Sequence, residues 1–247
     1  MKAIIIAAGP GSRLKDKTSD RPKCMLEFGG RPLLEHQIAA LKKAGVEEIS
    51  VIKGYKKEKI NYPEIRYYIN DDYLNNNILH SLFHAEDEMD DEFIAVYSDI
   101  LYDSSIVSRL IESKEDISIL VDVDWKGYYE GRLDHPLEEA ENVSFDDGKR
   151  VIEIGKRRPG IKDAQGEFVG MMKCSKEGAR IFREHFNKLK ETYEGKPFQE
   201  ASVFKKAYLT DMFQDLTDSG VPVHCVLIER GWKEIDTVED YDNLVNR

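Results

Sequence analysis

Apolar and polar positions along the chain alternate between two periods. Ala3 to Ala8, in "KAIIIAAG", form a continuous apolar run, and Lys2 to Ala8 read as a strand covered on both faces. "PLLEHQIAALKKAG" sets Leu33, Leu34, Gln37, Ile38 and Leu41 at helical spacing, with Gly45 as a stop. "EEISVIKGY" reads as the next strand, and "NILHSLFHAEDEM" as a helix with Ile78, Leu82 and Ala85 on one face. "EFIAVYSD" is a second buried strand closing on the polar pair Ser98 and Asp99. "SSIVSRLIESK" reads as a helix and "DISILVDVD" as a strand. This order predicts an α/β fold, with a parallel or mostly parallel sheet and helices on both sides.

The second half is less regular. "AENVSFDDGKRVIEIGK" reads as two short strands joined by an Asp-Asp-Gly turn, and "GEFVGMMKCS" as another strand. "KEGARIFREHFNKLKETYEG" predicts an amphipathic helix with Ala179, Phe182, Phe186 and Leu189 on one stripe. "LTDMFQDLTDSG" is a further helix, "VPVHCVLIE" a strand, and "TVEDYDNLVNR" a closing helix capped by Thr237 with Asp240 three residues on. With no repeat, low-complexity segment or linker, the expectation is one domain over residues 1–247 with a small insertion at about 125–165.

Composition narrows the function. An apolar share of 41% supports a sizeable core, and the net charge of -11 disfavours a protein that coats nucleic acid. A local basic pocket for a small anion remains compatible with that charge. Cys24, Cys174 and Cys225 are far apart and show no metal-binding spacing, so they read as reduced thiols. No apolar run approaches the length that spans a membrane. A cytoplasmic protein is expected.

Against the acidic background, "AAGPGSRLKDKTSDRPK" stands out. Gly9 and Gly11 permit positive φ and let backbone N–H groups approach a ligand, forming an anion-binding nest. Arg13 adds a planar donor fork suited to phosphate oxygens, and Lys23 a point charge. Lys15 and Lys17 read as solvated loop charges, and Arg21 is undecided. Two familiar phosphate loops do not fit. No GxxxxGK[ST] follows the first strand, and "GPGSRL" has Leu14 where a dinucleotide fingerprint needs its third glycine.

"AAGPGSRL" followed by "RPKCMLEFGGRPLLEHQI" resembles the nucleotidyltransferase superfamily of sugar-phosphate and phosphocholine nucleotidyltransferases. "GWKEIDTVEDYDNL" is similar to the closing motif of the phosphocholine cytidylyltransferases. "VDVDWKGYYEGRLDHPLEEAE" resembles cytidylyltransferases of small phosphoalcohols and phosphonates, the phosphoglutamine type among them. The resemblance implies a Rossmann-like nucleotidyltransferase domain with a mixed, mostly parallel sheet. It implies that Ala7, Ala8 and Gly9 line the base, that Gly11, Ser12 and Arg13 hold the phosphates, and that Lys23 neutralises charge as pyrophosphate leaves.

Nucleotidyl transfer needs charge neutralisation and alignment more than covalent chemistry, and Mg²⁺ held by carboxylates supplies both. Asp99 closes an apolar strand, where open α/β sheets meet ligands, though a helix cap is an equal reading from the residues alone. Glu234 and Asp236 are two apart, so in an extended segment they share a side while Ile235 faces apolar packing. Two carboxylates on one side repel unless a cation lies between them. By the resemblance, Asp99, Glu234 and Asp236 are the metal ligands.

Asn77, His80 and Ser81 are the positions that relatives place beside the cytosine ring, with helix capping and helix-face packing as alternatives for Asn77 and His80. The acceptor expectations are Trp125, Arg132, Glu153 and Lys156. Aromatic residues of that region, Tyr128 and Tyr129 among them, suit either a quaternary-ammonium cage or lid packing. Lys156 would hold the acceptor phosphate. The resulting expectation is a Mg²⁺-dependent cytidylyltransferase of cell-surface polysaccharide or phosphonate biosynthesis. Its partners are CTP and a small phosphate or phosphonate acceptor, with no nucleic acid and no membrane, and a homodimer stays open. Two alternatives remain: a sugar-1-phosphate nucleotidyltransferase using UTP, dTTP or GTP, and a catalytically silent nucleotide-binding regulator.

Overall fold

The first strand sets the layers. In the computed structural model, which describes residues 1–158, 160 and 162–246, β1 (Lys2–Ala7) is buried on both faces. Ile4 and Ile6 point into one core and Ala3, Ile5 and Ala7 into another, as the two-residue strand period requires. The other strands are β2 (Glu27–Phe28), β3 (Arg31–Pro32), β4 (Glu48–Lys53), β5 (Arg66–Ile69), β6 (Phe93–Tyr97), β7 (Ile100–Tyr102), β8 (Ile117–Asp122), β9 (Asn142–Phe145), β10 (Val151–Gly155), β11 (Gly166–Cys174), β12 (His224–Ile228) and β13 (Trp232–Glu234). The helices are α1 (Leu33–Lys43), α2 (Ile78–Leu82), α3 (Ser104–Ile111), α4 (Lys176–Tyr193), α5 (Leu209–Asp218) and α6 (Val238–Val245).

The main sheet runs β10-β9-β11-β6-β1-β4-β5, and β8 pairs the other side of β11 and carries β12. β1, β4, β5 and β6 are parallel, as are β8 and β12, while β11 lies antiparallel to β6, β8 and β9. The sheet is therefore mixed but mostly parallel. α4 and α5 bury Phe182, Phe186, Met212 and Phe213 on one face; α1 and α3 bury Leu34, Ile38, Ile106 and Val107 on the other. The hairpin of β9 and β10 continues the main sheet.

Among the differences from the sequence pattern, two stand out. The helix expected over "NILHSLFHAEDEM" is regular only as α2, then tightens into 3₁₀ turns with non-helical backbone at Ala85 and Met89. Its end carries Glu86, Asp87, Glu88 and Asp90, where the helix dipole disfavours negative charge. Glu88 instead accepts from Ser50, Arg66 and Tyr68 across the neighbouring strands. The second difference is a small antiparallel pair, β7 with β13, which registers Ile100 against Glu234. That pairing carries the C-terminal segment back to the end of β6.

Candidate active site

A cavity of about 420 Å³ opens at the carboxyl ends of β1 and β6. Gly9, Gly11, Ser12, Arg13, Lys23, Asn77, Asp99, Lys156, Glu234 and Asp236 line it together. Only Gly11 of the two loop glycines has positive φ, at 62°, and a Cβ there would lie 3.1 Å from Cβ of Lys23. The loop is tied down from below. Leu14 packs with Leu26, Leu33, Ile235 and Leu244, and the Thr18 hydroxyl donates to the Gly11 carbonyl at 3.1 Å. Lys17, expected as a solvated charge, binds Asp242 of α6 at 2.8 Å. Arg21 pairs with its neighbour Asp20 on the surface.

The same apolar cluster fixes the opposite wall. Ile235 is buried within it, so Glu234 and Asp236 turn to the cavity, and the Ile235 N–H donates to the Asp99 carbonyl at 2.8 Å. Lys23 Nζ stands between the two aspartates, 3.0 Å from Asp99 Oδ2 and 2.6 Å from Asp236 Oδ1. Burial opposes the Lys23 charge, but Asp99, Asp236 and Glu234 more than offset it and raise its pKa. Arg13 Nη2 reaches Asp236 Oδ2 at 2.5 Å, and His135 Nδ1 lies 3.2 Å from the same oxygen. Burial alone would favour a neutral Asp236; His135, Lys23 and Arg13 hold it well below the usual carboxylate range. Glu234 is shifted up, mainly by burial.

Among the described residues, His135, Glu234 and Asp236 offer ligand atoms all within 4.8 Å of one another. Among the same described residues, Asp99 Oδ1 is buried without a hydrogen-bond partner, and no contact to Asp236 Oδ2 has hydrogen-bond alignment. These carboxylate oxygens fit a hard divalent cation.

Lys156 lies across the cavity, where its Nζ donates to Glu139 at 3.1 Å. Glu200 receives the N–H groups of Lys156 and Arg157 and so holds the end of β10. Beyond Lys156 the wall changes character, with Tyr97, Tyr129, Tyr208, Glu141 and Glu167. Tyr129 donates its hydroxyl to Glu167 Oε1, and Tyr97 donates to Glu141 at 3.4 Å. Burial pushes the Glu141 carboxyl up to about 8 and lifts Glu167 strongly as well. Gly170, at φ 80°, lets the Tyr97 ring lie where a Cβ would stand.

Several expected site residues lie elsewhere. Ala7 and Ala8 turn their side chains into the two cores, as strand alternation dictates, and the Ala8 carbonyl is taken by the Tyr55 N–H. Asn77 does line the cavity, but its amide caps α2 and donates to the Lys206 carbonyl. His80 is wedged between Phe186 and Phe204, and burial lowers its pKa to about 4. Ser81 bonds Asn70 in the interior. Trp125 is buried in a small cluster with Tyr129, Ala140 and Ala164. Glu153 is exposed on β10, because the register shifts between Val151 and Glu153 and Ile154 takes the core side. Arg132 is no wall of this cavity. It pairs with Asp240, whose Oδ2 accepts the N–H groups of Asp236 and Thr237, so it positions the carboxylate segment from behind.

Conversely, Tyr97, Glu139, Glu141, Glu167 and Tyr208 were not expected at the site. Glu167 carries a signal, an acid near the start of the otherwise apolar strand "GEFVGMM"; Tyr97 and Tyr208 carry none.

Comparison with known proteins agrees with this architecture. Residues 3–221 match the MobA-like NTP transferase domain. CTP:phosphoglutamine cytidylyltransferase of Campylobacter jejuni is 32% identical over 100% of both chains. Choline-phosphate cytidylyltransferase of Streptococcus pneumoniae is 34% identical over 46% of this chain and 51% of its own. The solved CTP:phosphocholine cytidylyltransferase of S. pneumoniae shares the fold, with a TM-score of 0.74 at 23% identity over 99% of this chain and 97% of its own. With its loop, its paired carboxylates and a relative matching from end to end, the chain is a nucleotidyltransferase belonging to the MobA-like NTP transferase family.

Proposed function

We propose that the protein is a cytidylyltransferase joining CTP to a small phosphorylated alcohol, phospho-amide or phosphonate. One observation carries this reading: Lys23 bridges Asp99 and Asp236 directly beside the Gly11–Arg13 loop, with Lys156 in the same cavity. CTP is favoured because the end-to-end relative at 32% identity is a CTP enzyme. An oxygen of the acceptor phosphate or phosphonate attacks the α-phosphorus, the new P–O bond forms, and the bond to pyrophosphate breaks. That oxygen is already anionic, so no strong general base is required. The backbone of the Gly11 loop and the Arg13 guanidinium bind the triphosphate, and Lys23 swings from the carboxylates to the developing negative charge. Lys156 holds the acceptor anion in line. Asp99, Asp236 and Glu234 would hold Mg²⁺, which when bound screens the phosphate charges. A sugar-1-phosphate acceptor ranks second, because the UTP--glucose-1-phosphate uridylyltransferase AglF of Haloferax volcanii is 34% identical over only 51% of this chain.

The test is pyrophosphate release by purified protein with Mg²⁺ and each of CTP, UTP, GTP and dTTP, across phosphocholine, 2-aminoethylphosphonate and phospho-amide acceptors. Release with CTP is expected. Preference for another nucleotide overturns the base assignment, and silence with every pair overturns the enzymatic reading.

A further inference from the structure

The carboxyl groups of the cavity fall into two kinds. Asp99, Glu139 and Asp236 are each paired with Arg13, Lys23 or Lys156, whereas Glu141 and Glu167 bond tyrosine hydroxyls instead. Glu167 is only 4% exposed, and among the described residues its Oε2 is buried with no hydrogen-bond partner, while Oε1 is satisfied by Tyr129. A buried polar atom left unpaired carries a desolvation cost that a ligand partner recovers. Tyr129 cannot turn away to serve the second oxygen, because it is packed edge-on by Trp125 and Tyr128.

The aromatic residues here do not form an open cage. Arg132 stacks over the Tyr129 ring at 5.0 Å, and Lys156 over Tyr208 at 5.3 Å. Tyr97 is held against Gly170 and Phe168. A cation already stands over one face of Tyr129 and of Tyr208, and a trimethylammonium group has no N–H to donate to the open Glu167 oxygen. A primary ammonium has three N–H donors, and its charge would draw the proton from a carboxyl group that burial keeps protonated while the site is empty.

We infer that the acceptor carries a primary ammonium group at the end remote from its phosphate or phosphonate, received by Glu167 Oε2 with Glu141 as its second partner. The inference rests on the cytidylyltransferase reading for the identity of the other end. Glu167 and Glu141 are then specificity residues, and Tyr129 is a positioning residue that orients Glu167.

Calorimetric titration of the intact protein, holding a non-hydrolysable CTP analogue, compares 2-aminoethyl phosphate, ethyl phosphate and phosphocholine. The aminoethyl compound is expected to bind about 10-fold or more tightly than the other two, as one charge-assisted hydrogen bond implies. Glu167→Gln should erase that preference and leave ethyl phosphate within about two-fold. Should this variant fold poorly, Glu141→Gln should weaken the same preference. Equal binding of the three compounds, failure of all three to bind, or a preference that survives both substitutions would overturn the inference. Pyrophosphate release from CTP is measured separately: release with an acceptor lacking the ammonium keeps the enzymatic reading while the ammonium site falls.

Discussion

Replacing Lys23 by Met removes the cation between two carboxylates and leaves the stem volume in place. Lys23 Nζ lies 3.0 Å from Asp99 and 2.6 Å from Asp236. At an effective dielectric near 20, unit charges at about 3 Å attract by roughly 5–6 kcal/mol. Desolvation of the buried ammonium takes back much of that. Breaking a buried pair by removing one partner nevertheless costs about 3–5 kcal/mol, because the remaining charge stays uncompensated. Arg13 remains on Asp236, so the lower end, about 3 kcal/mol, is expected. Urea denaturation at neutral pH reads this directly. Added Mg²⁺ should restore more stability to Lys23→Met than to the parent, since the variant's carboxylates have lost their internal cation. Pyrophosphate release should fall by about 100-fold or more, the scale of losing one preorganised charge donor. A variant within about 0.5 kcal/mol of the parent without added metal would refute the neutralising role of Lys23.

Two further expectations follow from particular groups. Burial pushes Glu141 up to about 8 from an ordinary 4.5, so the folded chain holds a proton that the unfolded chain releases between those values. Stability therefore falls as pH rises through that window, and Glu141→Gln should lose less melting temperature between about pH 5 and about pH 8.5 than the parent; an equal loss would count against a buried, protonated Glu141. His80 lies between two phenylalanine rings and away from the cavity. His80→Leu should keep the parent's ratio of CTP to UTP turnover, and a changed ratio would return His80 to the base site.

The sequence by itself determined the α/β frame and the parts of the site that depend on short-range order. Strand period, helical spacing and capping are local, so α1, α4 and the Thr237–Asp240 capping box of α6 were legible from residues alone. So was the turning of Glu234 and Asp236 to one side of Ile235. The tertiary structure decided which distant polar groups meet. The pairing of β7 with β13 has only three residues on each strand and no sequence signal, yet it brings Asp99 to Asp236. The strand β5 (Arg66–Ile69), absent from the pattern reading, closes the sheet edge beside β4. Packing also decided the fates of His80 and Trp125, whose types suit both ligand contact and a core. Only the filled space around them distinguishes the two. Glu167 shows the reverse: an acid in an apolar strand is conspicuous in sequence, but that one of its oxygens lacks a partner is a fact of the folded cavity.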